Sequence, residues 1–481
     1  MLAALAAAAS VIQLALGAPI VVVLLAILAV SASLLGFVAL GPYNTGSWVS
    51  LFYGLGNALV ALYAKTVLGQ PLDSHLEAAA YSFAAIAVTS TALVAALALA
   101  RWIRVGRPLF SAESDPSFLG FLSWTCFVLG TLFWIMNGWF QDPSGTGFGG
   151  VALFRDLLLM AVIARTAMLL ERSGFRQTFD LWLGSMFVVS VCLGLIDNTK
   201  TSAALPIVSY IATVFFYRRG LPLATIAAAI VGWIAFAIVI GPLIHGLRAL
   251  GQRDLSVNER VELITSTTAR LIHERGEFED LRAIGDGQFG EGYYNYFGGN
   301  GAGQMLLGRY ASVQQIDPVI AAVNRRGPQG GEALWPAVTR LMPSFINPDK
   351  PQYIPAYTTV VYYGLVDPAG GKYPSLPLAG QAFAGYGIQG LLTVPFLTFL
   401  AFFLVAKKWG WQLYRNVYAI FFFCDFVIVY TSQGDFGHYS GAVLRNFPLF
   451  TMTFWSIAKC FRVQRGSLRA SQRRLTTDPA R

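Results

Sequence analysis

The chain has 481 residues, of which 55% are apolar and only 12% charged, with a net charge of +9 and a mean hydropathy of +0.56. An average soluble domain carries about twice that charge fraction, and here 25 of the 59 charges fall within one segment, 246–379. The rest is apolar in stretches long enough to cross a bilayer. This excludes a soluble enzyme, a disordered chain and a disulfide scaffold, and it leaves an all-α polytopic membrane protein.

Taken in chain order, apolar runs with few charges predict membrane helices at about 2–16, 19–41, 48–69, 78–100, 118–140, 151–171, 181–196, 202–217 and 221–245. After the polar segment they resume at 380–406, 411–432 and 443–460. The first run is short and is parted from the second only by Gly17, Ala18 and Pro19, so the expected count is 11 or 12. Residues 1–41 lack a basic start and stay apolar too long for a cleavable signal peptide. One set of short connections and the tail carry 15 basic residues, among them Arg101, Arg104, Arg107, Arg172, Arg176, Arg218, Arg219, Lys407, Lys408, Arg462 and Arg465. The alternate connections carry Lys200 alone. Positive residues stay on the cytoplasmic side, so 246–379 is expected outside and the basic tail inside. The expected organisation is transmembrane helices over 1–245, a large periplasmic loop over 246–379, further spans over 380–461 and a cytoplasmic tail over 462–481. Because the positive charge reports orientation in the lipid bilayer, no nucleic acid is expected as a partner. Cys126, Cys192, Cys424 and Cys460 show no C-x-x-C spacing and read as core or lipid-facing thiols.

The outer segment reads as a helical lid. Ser256 and Glu259 have capping-box spacing. Leu306, Tyr310, Val313, Ile316, Ile320 and Val323 form an apolar stripe, and Asp317 followed by Pro318 predicts a fresh helix start in its middle. A third helix is expected over 332–341, stopped by Pro343, with irregular proline-rich chain from Pro343 to Pro377.

No phosphate-binding P-loop, H-E-x-x-H pair or D-x-D pair is present, so no metal and no cofactor are expected. Gly285, Gly287 and Gly290 match G-x-G-x-x-G without the preceding strand that gives the pattern meaning. Eight glycines in 285–304 alternate with Phe289, Tyr293, Tyr294, Tyr296 and Phe297. Two readings stand for these aromatics: contact with the membrane interface, or a surface that stacks on sugar rings. Intramembrane charges cost about 2.5–3.5 kcal/mol each, so each asks for a reason. Arg165 reads as snorkelling to the cytoplasmic side. Arg155 with Asp156, and Asp425, read either as structural charges or as partners of a headgroup. Lys200 opens a span at the outer side, where its charge and free backbone N–H groups suit a phosphate. Arg309 and Arg340 fall on expected lid helices, and Asp435, His438 and Arg445 crowd another outer mouth.

These features together carry a resemblance. Three stretches matter: Gly308-Arg309-Tyr310; Gly331 to Arg340 leading through Pro343 to Pro351; and Pro374 through Gln381, Tyr386 and Gly387 into the next span. With ten or more spans and a large outer loop before the last three, the chain resembles the bacterial Wzy-type O-antigen and exopolysaccharide polymerases. These belong to the polysaccharide polymerase and O-antigen ligase superfamily. The resemblance implies a GT-C-like inner-membrane glycosyltransferase that joins repeat units carried on polyprenyl pyrophosphate at the periplasmic face. Its partners would be a lipid-linked glycan donor and acceptor, with a chain-length regulator as a further one. Lys200, Arg309 and Arg340 are the expected cationic clamp, with Arg155 and Arg445 as outlying members and Tyr293 and Tyr294 as sugar contacts. Glu332, Asp435 and His438 are unranked candidates for the base. The chain departs from the pattern at Ser344 and Gln381, where relatives often carry Arg and a carboxylate, and at Lys200, usually Arg. The absence of a histidine before the 380–406 span favours polymerase over ligase. A flippase for the same lipids is the reading from another class.

Overall fold

The computed structural model describes residues 2–139, 151–196, 200–223, 225–227, 258–259, 262, 265–266, 296–298, 311–342, 355–365, 376–431 and 434–476. The described chain is helical throughout, its only β contact being one isolated bridge between Asn44 and Gln412. In order, the helices are α1 (Leu2–Ala15), α2 (Ile20–Leu40), α3 (Thr45–Val67), α4 (Ala79–Trp102), α5 (Pro116–Trp139), α6 (Leu157–Arg172), α7 (Leu181–Ile196) and α8 (Lys200–Arg218). The lid segment supplies α9 (Val313–Arg326), a 3₁₀ turn at Gly330–Ala333, α10 (Trp335–Leu341) and α11 (Pro355–Tyr362). Last come α12 (Leu378–Trp409), α13 (Val417–Tyr430) and α14, which runs as Phe436–Gly441, a π turn Ala442–Asn446, and Phe447–Thr476.

Five of these are long and apolar enough to cross a membrane: α2, α3, α4, Pro116–Met136 within α5, and α12. The first expected run is a separate helix, but its 14 residues span only about 21 Å, short of a hydrocarbon core of about 30 Å. The lid segment departs from the sequence reading twice. The stripe through Asp317 and Pro318 is one uninterrupted helix, α9. The stretch expected to be irregular contains α11. The capping box at Ser256 lies outside the described residues.

The chain divides into two compact units. One takes in the described residues of Met1–Leu109, Ala237–Leu413 and Asp425–Arg445; the other takes in those of Phe110–Phe236, Tyr414–Cys424 and Asn446–Arg481. In the first, α2, α3, α4 and α12 pack closely because small residues face one another. A Cβ on Gly36 would strike Ser50, and one on Gly54 would strike Ser33. Basic ends gather here: Lys407 Nζ donates to the carbonyls of Ala100, Arg101 and Ile103 at 2.8–2.9 Å, and Lys408 Nζ to that of Arg107 at 3.0 Å. These are the C-terminal carbonyls of α4 and its exit, which a helix leaves without donors.

At the other end of α4 stands Asp317, and its role explains why α9 does not break there. Its carboxylate accepts the N–H groups of Glu77 (2.7 Å) and Ala78 (3.0 Å) and the Ser82 hydroxyl (2.8 Å). Asp317 therefore caps α4, 240 residues away in sequence at Glu77, and not its own helix. The same end is closed by Lys65, a fully buried lysine inside a span that the sequence reading passed over. Its ammonium donates to Gln70 Oε1 (2.9 Å), Ser74 Oγ (2.7 Å) and the Ser74 carbonyl (3.2 Å), and lies 4.3 Å from the Tyr296 ring centre. Tyr296 and Phe297 are only 2% exposed, so these two aromatics are neither sugar platforms nor interface anchors. They hold the lid to the 70–77 loop, Tyr296 donating to the Leu72 carbonyl at 2.8 Å.

In the second unit α5 to α8 pack through Gly130 against Leu158 and Gly194 against Ala203. Arg165, expected to snorkel, instead pairs with Asp180, which caps α7 through Leu183 N–H at 2.8 Å. The guanidinium does reach the connecting loop, where it finds a carboxylate in place of water. Here too the basic ends cluster. Arg415 Nε meets Glu171 at 2.9 Å, Arg219 stacks on Tyr414, and Arg465 pairs with Asp115 at 2.8 Å. The Glu171 carboxylate, by hydrogen bonding, holds the Arg415 guanidinium above its ordinary range.

Candidate functional site

The site lies in the first unit, at the end of α12 opposite Lys407 and Lys408, and it is built on a break in that helix. Tyr386 (φ −140°, ψ 20°) and Gly387 (φ 59°, ψ −138°) leave helical geometry, so α12 consists of a short half-helix ending near Gly385 and a longer one beyond. Only glycine accommodates the Gly387 backbone readily. Three residues on, the backbone turns so tightly that a Cβ on Gly390 would lie 2.0 Å from the Ala382 carbonyl oxygen.

The half-helix is a platform with two arms. The first arm is the 3₁₀ turn that carries Glu332. Gln329 N–H donates to the Ala384 carbonyl at 2.8 Å, ahead of the turn. Behind it, Gln381 Nε2 donates to the Ala333 carbonyl at 2.7 Å. Glu332 itself is exposed. The Tyr363 hydroxyl adds bonds to the carbonyls of Gly327 (3.0 Å) and Ala384 (3.4 Å). Burial pushes that hydroxyl up to about 12, so it serves as a donor throughout the physiological range.

The second arm begins α14. Leu378 N–H donates to the Gly434 carbonyl at 3.0 Å, and Phe436 N–H to Gln381 Oε1 at 2.8 Å. Asp435, 1% exposed, caps the helix by accepting His438 N–H at 2.8 Å. The same oxygen lies 2.7 Å from His438 Nδ1. A carboxylate there fixes the proton on Nδ1 and leaves Nε2 as the acceptor; this tautomer follows from the partner. The ring packs against Tyr430 at a tilt of 34°, with centroids 4.5 Å apart, and the His438 side chain remains 32% exposed. It is thus oriented on one side and open on the other.

Among the residues expected from sequence, the structure brings Glu332, Arg340, Asp435, His438 and Arg445 onto neighbouring elements of one unit. Arg340 is the penultimate residue of α10. A Cβ on Gly441 would lie 3.7 Å from Leu341 Cδ2 and 3.8 Å from Arg445 Nη2, so the Arg445 guanidinium reaches the α10–α14 contact. Lys200 is the first residue of α8 and Arg155 lies in a 3₁₀ turn before α6, both in the second unit. Arg309, Tyr293 and Tyr294 lie outside the described residues. In the sequence Gln381 stands out only as a departure from the pattern of the polymerases the chain resembles; its burial and its two bonds make it the residue that joins the arms. Among the described residues no three His, Cys, Asp or Glu side chains converge as a metal site requires. No protein-family model, curated protein or solved structure matches this chain at a significant level.

Proposed function

We propose that the protein is a multi-pass inner-membrane glycosyltransferase of GT-C-like architecture, with 11 or 12 spans, the lid in the periplasm and the C-terminus in the cytoplasm. It polymerises polyprenyl-pyrophosphate-linked oligosaccharide repeat units into exopolysaccharide or O-antigen. The observation that carries this reading is the Asp435–His438 pair, set beside the Glu332 turn on a broken membrane helix at the end away from the basic loops. Broken helices at membrane depth are tolerated where the irregular backbone is buried in protein or lines a cavity. An imidazole held by a buried carboxylate is the arrangement a general base needs.

In this reaction His438 Nε2 takes the proton of the acceptor hydroxyl as its oxygen bonds to the anomeric carbon of the donor. The bond from that carbon to the pyrophosphate oxygen breaks, and its electron pair leaves with the polyprenyl pyrophosphate. The leaving group is already activated, so alignment and charge stabilisation do most of the work. Arg340 on α10 and Arg445 on α14, elements of the unit that carries His438, are the proposed partners of the pyrophosphate charge. Asp435 orients the base, and exposed Glu332 receives acceptor hydroxyls by hydrogen bonding.

The test is incubation of the purified protein with a lipid-linked repeat unit in the absence of nucleotide. A ladder of lengthened chains is expected, and His438→Ala should lower its rate by about 10²–10⁴-fold, the usual worth of a positioned base. Transport across vesicles without lengthening would instead establish the flippase, and transfer only to a lipid lacking pyrophosphate the ligase. An undiminished ladder from His438→Ala removes the base assignment.

A further inference from the structure

The proposed function leaves open what keeps the Glu332 turn and the His438 helix in register, since they belong to separate parts of the chain. We infer that Gln381 is a positioning residue that locks these two arms together through the half-helix of α12; as a statement about catalysis this rests on the polymerase reading above.

The observations are local. Gln381 is fully buried, and its amide is used from both ends: Nε2 donates to Ala333 O at 2.7 Å, and Oε1 accepts from Phe436 N–H at 2.8 Å. Ala333 directly follows Glu332, and Phe436 lies between Asp435 and His438. Ala333 offers an acceptor and Phe436 a donor, so the bridging side chain must present one of each. An uncharged amide of this length does so at any pH, and a carboxyl group only while it is protonated. A carboxylate keeps the Phe436 bond and turns a lone pair toward the Ala333 carbonyl, while methionine fills the volume and makes neither bond. The bridge also fixes the start of α14, because Phe436 N–H is one of the donors a helix N-terminus leaves unpaired. Release of that N–H loosens the turn in which Asp435 holds His438. Leu378 N–H to Gly434 O remains as a second tie, so the arm is expected to lose register and not to detach.

The experiment uses the full-length protein in nanodiscs, with Cys192 and Cys460, the two exposed thiols, changed to Ser. Nitroxide labels go on exposed Trp335 and Leu444, beyond each arm, after substitution by Cys. A reference pair goes on exposed Tyr81 and Arg325, which flank the Asp317 cap. Gln381→Met and Gln381→Glu are expected to broaden the 335–444 distance distribution and leave the 81–325 distribution narrow. In parallel, on unlabelled protein, Gln381→Met should lower kcat for chain lengthening at least tenfold with KM changed less than threefold. A residue that merely packs would be rescued by methionine. A narrow 335–444 distribution in Gln381→Met, or full kcat with it, overturns the assignment. If the wild-type protein lengthens no chains, the polymerase reading falls by itself, and the distance distributions still decide whether Gln381 joins the arms.

Discussion

Asp317 shows how one side chain can be conspicuous in sequence and misread there. Followed by proline, it has the form of a local helix start, yet its three bonds reach to Glu77, Ala78 and Ser82 at the start of another helix. Short-range rules look for a partner within four residues, and nothing in the pattern discloses one 240 residues away. Burial raises the carboxyl pKa, against the lowering effect of its hydrogen bonds. The folded protein therefore binds this proton more tightly than the unfolded chain. The charge costs stability at neutral pH, and that cost is relieved as pH falls from the raised value through about 3.9, the ordinary carboxylate value. Asp317→Ala leaves two backbone N–H groups without their acceptor and should destabilise the protein by about 2–5 kcal/mol, read as a lower melting temperature in detergent. Asp317→Asn should remove the acid-range rise in melting temperature that this one group contributes. Lys65 is inconspicuous in sequence for a different reason. A single lysine barely alters the hydropathy of a 23-residue span, and its meaning lies in the ring of Tyr296, far along the chain.

At the level of elements, the apolar runs place most helices to within a few residues, because length and hydropathy are properties of contiguous sequence. The break in α12 is less visible. The run through Tyr386 and Gly387 is apolar and continuous, and only the backbone reveals the change of direction. Two glycines make it possible for distinct reasons. Gly387 adopts a left-handed φ, and Gly390 lets the Ala382 carbonyl approach. Gly390→Ala is expected to be the more damaging change, since the obstructing atom is backbone that cannot step aside. Its melting temperature should fall further than that of Gly387→Ala, and both should lose chain lengthening. The lid helices show the converse limit. α10 lies within the helix expected over 332–341 and ends just before the Pro343 stop, whereas α11 is hidden by proline-rich flanks that suggest irregular chain.

At the scale of the whole molecule, the charge asymmetry read from sequence has a physical counterpart within each unit. The basic ends of α4 and α12 meet in the first, and Arg415, Arg219 and Arg465 lie with Glu171, Tyr414 and Asp115 in the second. The topology built on that asymmetry is directly measurable. A green fluorescent protein fused at the C-terminus should fluoresce, as expected of a cytoplasmic tail. A cysteine at Glu332 should react with an impermeant maleimide from the periplasmic side, and one at Arg104 should not. Reversed labelling would place the site in the cytoplasm and remove the lipid-linked substrate from it. The site itself was legible as residue types, with Glu332, Asp435, His438 and Arg445 all marked by sequence. Their convergence was not, because it depends on Gln381 and on a helix break that periodicity does not register.

The bonds at Ala384 have a bearing on how reactants arrive. Its carbonyl takes Gln329 N–H and the Tyr363 hydroxyl, so raising that flap would strand an oxygen beside apolar chain, a penalty of about 1–3 kcal/mol before any chemistry begins. Entry past the Gln329 and Tyr363 contacts is thus discouraged. The lipid-linked sugars proposed above as substrates would then enter sideways, from the leaflet that holds their tails.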